Sequence, residues 1–471
     1  MRQLAVVVLA AGEGTRMKSE IPKVLHEIAG LPLIGHVLAT AHSLSANHVV
    51  AVLRHKKADI EGYVAEHFPQ TIIAEQDDIP GTGRAVEAAL EVLPKGFDGD
   101  LVVLSGDVPL LDTQSIAELV ARHREAKNSA TLVSCDLENP NGYGRVVRAS
   151  GELIKIVEQK DADAEQLAIT EVNAGVYCFD SHALSGALGK VGTDNAQKEK
   201  YLTDVAAIML AAGNSVEAHV IADPWLVAGI NDRVQLGAVA AELNQRIVKA
   251  WQLAGVTVEE PASTWIDVTV QLGQDVVLKP STRLHGLTRV GPGSSVGPDT
   301  TLLDTEVGSG ARVVRTHAEG AKVHDGANVG PFSYLRPGTE LGVGAKIGAF
   351  VETKNAKIHS GAKVPHLSYV GDAEIGEGAN IGAGTIFANY DGEKKHRSTV
   401  GKHAKTGSGN VFVAPVNIGA GAYTAAGSTI RRDVEPGALA LNTTPQKNLA
   451  GWVLEKRPGS DSAKAASEET E

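Results

Sequence analysis

A period of six governs the second half of this chain. Val323, Val329, Leu335, Leu341 and Ile347 stand six residues apart, often with glycine next in line. The same beat runs through Val290, Val296 and Leu302 and through Ile358, Val364 and Val370; Ile375 and Ile381 resume it after a slip of one. Neither an α-helix, at 3.6, nor an ordinary strand, at 2, repeats this way. A hexapeptide repeat is the mark of a parallel β-helix, in which one aliphatic residue per face stacks inside successive coils. Of the 51 glycines, an unusual share lies beyond about residue 270, and aromatics are only 4% of the chain. The second half is therefore built differently from the first.

Residues 1–228 alternate apolar strand-like runs with amphipathic stretches. The runs are LAVVVLA, HVVAVLR, TIIAE, LVVLSGD, ATLVSC, LIKIVE, AGVYCF and VEAHVI, and DTQSIAELVARHREA is one of the stretches between them. This alternation predicts a mostly parallel sheet covered by helices. Between the halves, Leu236, Ala240, Leu243, Ile247 and Trp251 recur at steps of four, three, four and four, which predicts a helical arm. The expected division is 1–230, an arm at 231–255, a β-helix at 256–455, and a polar tail at 456–471 whose composition predicts disorder.

Several classes fall away on composition. The net charge of −12 argues against a nucleic-acid partner. No apolar stretch approaches the roughly 20 residues of a membrane-spanning helix. Met1 and Arg2 before an apolar run resemble a secretory leader. However, the run is short, and charges follow Gly12 where a cleavage site would need small residues. Cys135 and Cys178 sit in apolar runs and form no metal or disulfide pattern, as expected of reduced thiols in a cytoplasmic protein.

The opening run empties into AAGEGTRM, with Lys23 soon after. Backbone N–H groups in such a turn can cradle an anion, and Arg16 and Lys23 would add charge. The spacing is neither that of a Walker loop nor G-x-G-x-x-G. On spacing alone, a tight strand-to-helix turn with solvated cations is an equal reading. Asp107, at the end of LVVLSG, similarly reads as a ligand at the C-terminal edge of a sheet or as a helix cap before PLLDTQS.

LAAGEGTRM with PKVLH, then GTGRA, LSGDVPL, NGYGRVV, IVEQKDA, EVNAGVY and AGINDR, resembles the nucleotide-sugar pyrophosphorylases. Joined to the hexapeptide half, the pattern is similar to the bifunctional family that N-acetylates glucosamine-1-phosphate and then uridylylates the product. The resemblance implies an α/β nucleotidyltransferase domain with a Rossmann-like mixed sheet, a helical arm and a left-handed parallel β-helix. It assigns Leu9, Ala10, Ala11, Gly12 and Lys23 to the nucleotide, with Arg16 over the phosphates and catalytic along with Lys23. Gln76, Gly81 and Thr82 would read uracil. Ser105, Gly106 and Asp107 would also line the UDP-N-acetylglucosamine site, where Gly144, Glu158 and Asn173 would hold the sugar. Asp107 and Asn231 would hold Mg²⁺, a sparse hard-oxygen pair completed by phosphates and water. One departure stands out: Ile79-Pro80 precedes Gly81-Thr82 where Gln-Leu is usual.

In the β-helix, the resemblance makes His366 of HLSYVGD the base for acetyl transfer from acetyl-CoA, a task suited to an imidazole titrating near neutrality. Arg336, Lys354, Tyr369 and Asn380 would bind glucosamine-1-phosphate. Ala383, Asn389, Tyr390, Ser408 and Ala426 would bind acetyl-CoA. The loop NYDGEKKHRST breaks the six-residue beat, as a loop reaching a neighbouring copy would, and a homotrimer is implied. A second departure is Thr443, where relatives carry an arginine against the CoA phosphates; Lys447 or a neighbouring subunit are the candidate replacements. Two rival readings are a pyrophosphorylase of another sugar with an inert β-helix, and a non-catalytic β-helix subunit. The latter predicts degraded turn and metal positions, whereas Arg16, Lys23, Asp107 and Asn231 are all present.

Overall fold

The central strand β1 (Gln3–Leu9) is buried on both faces, which explains why its sequence is continuously apolar rather than alternating. Ala5 and Val7 point into one hydrophobic cluster, and Val6 and Val8 into another. The chain is seen here in a computed structural model that describes residues 2–442 and 446–469. It forms two compact units, one running to Val270 and including Arg283–Gly286, the other comprising Gln271–Thr282 and the residues from Leu287 onward.

The first unit is a nine-stranded sheet. Its strands are β1, β2 (His48–Leu53), β3 (Ile72–Glu75), β4 (Gly99–Ser105), β5 (Ala130–Asp136), β6 (Arg145–Ala149), β7 (Glu152–Val157), β8 (Glu171–Asp180) and β9 (Val216–Val220). The order is β9-β5-β8-β4-β1-β2-β3, with the β6–β7 hairpin attached to β8. β1 is parallel to β2 and β4, whereas β8 is antiparallel to β4 and β5. Every strand-like run in the sequence is a strand, and the sheet is mixed through β8 and the hairpin. Helix Thr82–Val92 covers one face with Ala85, Val86 and Ala89; Leu33–Ser43 and Thr113–Ala126 cover the other with Ile34, Leu38, Ile116 and Leu119. Each valine, leucine or isoleucine among these contributes roughly 1.5–3 kcal/mol by leaving water.

The arm is a helix from Arg233 to Leu253, capped by Asp232, whose carboxylate accepts from Val234 and Gln235 N–H at 2.9 Å. Leu236, Ala240 and Leu243 of the expected stripe pack beside Met17, Leu33 and Ile230, whereas the fully buried apolar residues of the helix, Val239 and Val248, lie beside the stripe rather than on it. Asn244, buried beside that stripe, donates to Thr264 O at 2.8 Å and accepts from Ile266 N at 3.1 Å, clamping the helix to the strand Trp265–Ile266. The arm thus counts with the first unit.

The second unit is a left-handed parallel β-helix. Successive strands pair in register, Ser295↔Arg312, Arg312↔Asn328, Asn328↔Lys346 and Lys346↔Lys363, so each coil takes three steps of about six residues. Val296, Val313, Val329, Ile347 and Val364 stack as one buried column; Val307, Val323, Leu341, Ile358 and Ile375 form a second. Leu335, Thr353 and Val370 belong to the third face, which Phe387 and Phe412 continue with rings 5.1 Å apart. The long coil between Ile375 and its partner Val400 contains the loop that interrupts the beat.

The tail departs from the expected disorder: Asp461–Glu468 is helical, because Ser460 accepts from Ala463 N–H at 3.1 Å and caps it. No helix among the described residues is long and apolar enough to cross a membrane.

Candidate functional site

At the C-terminal edge of β1, β2 and β4 lies a cleft of about 540 Å³. Leu9, Ala10, Ala11, Gly12, Arg16, Lys23, Gln76, Gly81, Thr82, Ser105, Asp107 and Asn231 all line it. The strand ends are stitched together there, Ala10 N–H donating to Val52 O and Gly106 N–H to Leu9 O, both at 2.9 Å. Gly106 is buried behind the cleft wall rather than in its lining. The glycine turn continues into a short 3₁₀ turn, Thr15–Met17, which leaves Arg16 exposed at the rim.

Lys23, Asp107 and Asn231 lie far apart in the chain, yet Nζ of Lys23 donates to Oδ2 of Asp107 and lies 3.4 Å from Oδ1 of Asn231. A carboxylate and an amide oxygen thus converge on one cation position. The open alternative for Asp107 is also resolved, since Asp112 caps the following helix by accepting from Ser115 N–H at 2.7 Å. Among the described residues no cluster of three or more His, Cys, Asp or Glu could hold a metal. A divalent ion here would rest on these two oxygens plus substrate and water, a donor set that fits a hard cation.

Gln76 is buried, and its amide nitrogen donates to Ile79 O at 2.8 Å and Gly81 O at 3.2 Å. That leaves Oε1 to accept from a ligand. Gly81 has φ 117°, and a Cβ there would run into the Lys200 carbonyl. The Ile79-Pro80 departure leaves this loop intact because backbone carbonyls hold it: Ile79 O holds Gln76, and Pro80 O accepts from Lys200 N–H at 3.0 Å.

Gly144, Glu158 and Asn173 stand together, outside the lining named above. Asn173 N–H donates to Gly144 O at 2.9 Å, and a bulge in β8 between Asn173 and Tyr177 lets Nδ2 of Asn173 reach the Tyr177 hydroxyl at 2.7 Å. Among the described residues no partner is found for the buried Oδ1 of Asn173, which leaves it as an acceptor at this position. Burial, reinforced by Asp204, Asp161 and Glu199, pushes the Glu158 carboxyl above its usual range, and a hydrogen bond from Thr203 opposes the shift. Tyr177 closes the EVNAGVY motif but had no role read for it in the sequence, and no motif or spacing marks Thr203.

The β-helix candidates divide between two faces. Arg336 and Lys354 occupy adjacent coils of one face, as the pairing Leu335↔Thr353 requires, and Tyr369 follows in the next. Asn389 joins them, donating to Asp372 at 2.5 Å and lying 3.4 Å from the Tyr369 hydroxyl. Lys395, on the inserted loop and unmarked in the sequence, adjoins Lys354 and pushes the Lys354 pKa down. Arg336 is paired with Glu352 at 3.0 Å. The loop braces itself: Asp391 accepts from Lys394 N–H and from His396, at 2.7 and 2.6 Å, with Tyr390 exposed beside it.

Asn380 lies on a different face, between Lys363 and Lys405. His366 ends a strand of that face, and the hydrogen bonds from Gly384 to His366 and from Gly409 to Ala383 put His366, Ala383 and Ser408 in one column. Gly427 donates to Ser408 O at 2.8 Å, which adds Ala426. The neighbouring corner column begins with exposed Phe332, Phe350 and Leu367, the two phenyl rings stacked at 5.2 Å. It continues as Gly384, Gly409 and Gly427, all in the left-handed region with φ near 70°. Bare backbone therefore runs alongside Ala383, Ser408 and Ala426, leaving room for a long ligand; these glycines also went unread. One chain thus separates Arg336, Lys354 and Tyr369 from Asn380 across an apolar corner. Thr443 lies outside the described residues, and Lys447 is exposed.

A family model described as the MobA-like NTP transferase domain matches residues 6–174. A curated protein of Clavibacter sepedonicus, bifunctional protein GlmU, is 59% identical over 466 residues, 99% of this chain and 94% of the relative. Proteins of the same name from Kineococcus radiotolerans and Mycolicibacterium gilvum are 55% and 54% identical, covering 98% and 99% of this chain and 94% and 95% of their own.

Proposed function

Because the chain belongs to the bifunctional GlmU family, enzymes that N-acetylate glucosamine-1-phosphate and uridylylate the product, we propose residue roles for both reactions. It is a transferase with both activities, and its product serves cell-wall synthesis.

In the first unit the phosphate oxygen of N-acetylglucosamine-1-phosphate attacks the α-phosphorus of UTP and pyrophosphate leaves. Two polyanions must meet, so catalysis is alignment and charge neutralisation. Asp107 and Asn231 hold Mg²⁺, which when bound supplies further positive charge to the phosphates. The observation that carries this reading is their convergence on the Lys23 ammonium. Lys23 and Arg16 serve the phosphates. Backbone of Leu9–Gly12 and Ser105–Gly106 shapes the nucleotide cradle, with Gly81 and Thr82 flanking the base. Gln76 presents Oε1 to the uracil imide, and Gly144, Glu158 and Asn173 hold the sugar.

In the β-helix Arg336, Lys354 and Lys395 bind the phosphate of glucosamine-1-phosphate, with Tyr369 and Asn380 on the sugar. Its amine attacks the acetyl-CoA thioester, and His366 takes the proton as the C–N bond forms and the CoA thiolate leaves. Ala383, Ser408 and Ala426 border the glycine groove for CoA; Asn389 and Tyr390 stand with the cation face and reach the CoA across the boundary with a second copy. The split between Asn380 and the cation face supports a homotrimer in which a second copy completes each acetyl-transfer site, its contact built on Phe332, Phe350 and Leu367. UTP and acetyl-CoA as substrates favour the cytoplasm, without stable membrane attachment.

Incubation with glucosamine-1-phosphate, acetyl-CoA, UTP and Mg²⁺ tests the reading. UDP-N-acetylglucosamine, pyrophosphate and free CoA thiol are expected. Thiol release without the nucleotide sugar, or turnover of a different sugar phosphate, would contradict it.

A further inference from the structure

The segment Glu199–Asp204 is anchored to the loop beside Gln76. Lys200 N–H donates to Pro80 O at 3.0 Å, Gly83 N–H donates to Lys200 O at 2.8 Å, and Leu202 N–H donates to Thr82 Oγ1 at 3.1 Å. Nζ of Lys200 adds an ion pair to Glu87 at 2.5 Å. Two residues after Tyr201, whose hydroxyl donates to Asp161 at 3.2 Å, the chain presents Thr203. Thr203 is 4% exposed, and its hydroxyl donates to Oε1 of Glu158 at 3.0 Å. Among the described residues no other hydrogen bond to the Glu158 carboxylate is found.

We propose that Thr203 is a positioning residue for sugar binding: held by the anchored segment, its hydroxyl fixes the orientation of Glu158 and keeps that carboxylate an acceptor for a sugar hydroxyl. This rests on the reading that Glu158 holds the sugar of N-acetylglucosamine-1-phosphate.

The charge around Glu158 shows why a donor is needed. Asp204, Asp161 and Glu199 face it, with the phenols of Tyr177 and Tyr201 nearby. Burial and these carboxylates all favour the protonated acid, which would lose its acceptor lone pair to a proton. The Thr203 hydroxyl opposes them. A hydrogen bond to an ionised group is among the stronger ones, and its removal leaves a half-buried carboxylate unsatisfied.

The test compares Thr203→Val, Thr203→Ser and Glu158→Gln in the full chain, assayed for uridylyl transfer across pH. Thr203→Val is expected to raise KM for N-acetylglucosamine-1-phosphate roughly ten- to hundredfold, with a smaller change in kcat. Removing the donor raises the Glu158 pKa further, so the acidic limb of kcat/KM for the sugar phosphate moves to higher pH. Thr203→Ser restores both. An unchanged acetyl-transfer rate and unfolding midpoint establish that the variant is folded; should Thr203→Val fail this control, Thr203→Ala is read in its place. A wild-type sugar KM and pH limb in the donorless variant, while Glu158→Gln raises KM, would overturn the role of Thr203. Should Glu158→Gln itself leave KM unchanged, the sugar assignment of Glu158 fails and the proposal falls with it.

Discussion

The two candidate sites are built by opposite strategies. The uridylyl cleft gathers residues spread over more than 200 positions, and its groups are already in mutual contact within one chain: Lys23 on Asp107 and Asn231, Gln76 on its loop. The β-helix site is laid out by the repeat. Its residues stand one coil apart on an exposed rod, and Asn380 and Tyr369 fall on faces divided by the corner column Phe332, Phe350 and Leu367. An open α/β sheet makes a pocket at the ends of its strands. A regular coil has a filled interior and offers only outer surface, so a pocket requires something laid against it.

That contrast can be broken at either end. The largest effect is expected from Asp107→Ala, which removes one of the two oxygens offered to a cation. Uridylyl transfer should fall by roughly 10³-fold or more, as several kcal/mol of charge stabilisation disappear. Thiol release from acetyl-CoA should be unchanged, and parallel assays of both reactions check the split. His366→Ala should do the reverse, costing acetyl transfer roughly 10²–10⁴-fold while supplied N-acetylglucosamine-1-phosphate is still uridylylated. A wild-type acetylation rate would remove His366 from the mechanism.

Gly81→Ala sharpens the claim that backbone shapes the first cleft. With φ 117° and the Lys200 carbonyl in the way, the loop must shift. KM for UTP should rise roughly 5- to 150-fold, corresponding to local strain of about 1–3 kcal/mol, and steady-state kinetics measure it. The smallest effect belongs to Lys395→Ala on the exposed face. Loss of one cation should raise KM for glucosamine-1-phosphate by roughly up to fivefold. The pH dependence has a definite sign: Lys395 holds the Lys354 pKa down, so Lys354 sheds its proton earlier as pH rises and phosphate binding weakens. Without Lys395 that alkaline limb should move to higher pH, and a KM–pH profile reads it.

Legibility in the sequence followed the same division. A six-residue beat is a local signal, and it located the β-helix and the buried columns from Val290 to Ile381 without any knowledge of contacts. The strands of the first unit were equally plain, because burial on both faces makes continuous apolar runs. Residues that act through long-range geometry were not legible. Thr203 reaches Glu158 only because its segment is pinned to Pro80 and Gly83, and Tyr177 meets Asn173 through a bulge that no composition announces. Lys395 sits in a loop where any of several lysines could have faced the site. Gly384, Gly409 and Gly427 lie in a repeat already rich in glycine, so only their stacking in one column distinguishes them. The tail helix turned on one capping serine within a polar composition.

The central claim is that one site is complete in a single chain and the other is completed by a second copy. Phe350→Asp tests it most directly, since Phe350 is 58% exposed and its replacement should disturb association rather than folding. Sedimentation and both assays are run on the same sample. The account predicts a species smaller than a trimer, with uridylyl transfer per chain unchanged and acetyl transfer reduced roughly 100-fold or more. A monomeric chain that acetylates glucosamine-1-phosphate at the wild-type rate would contradict it.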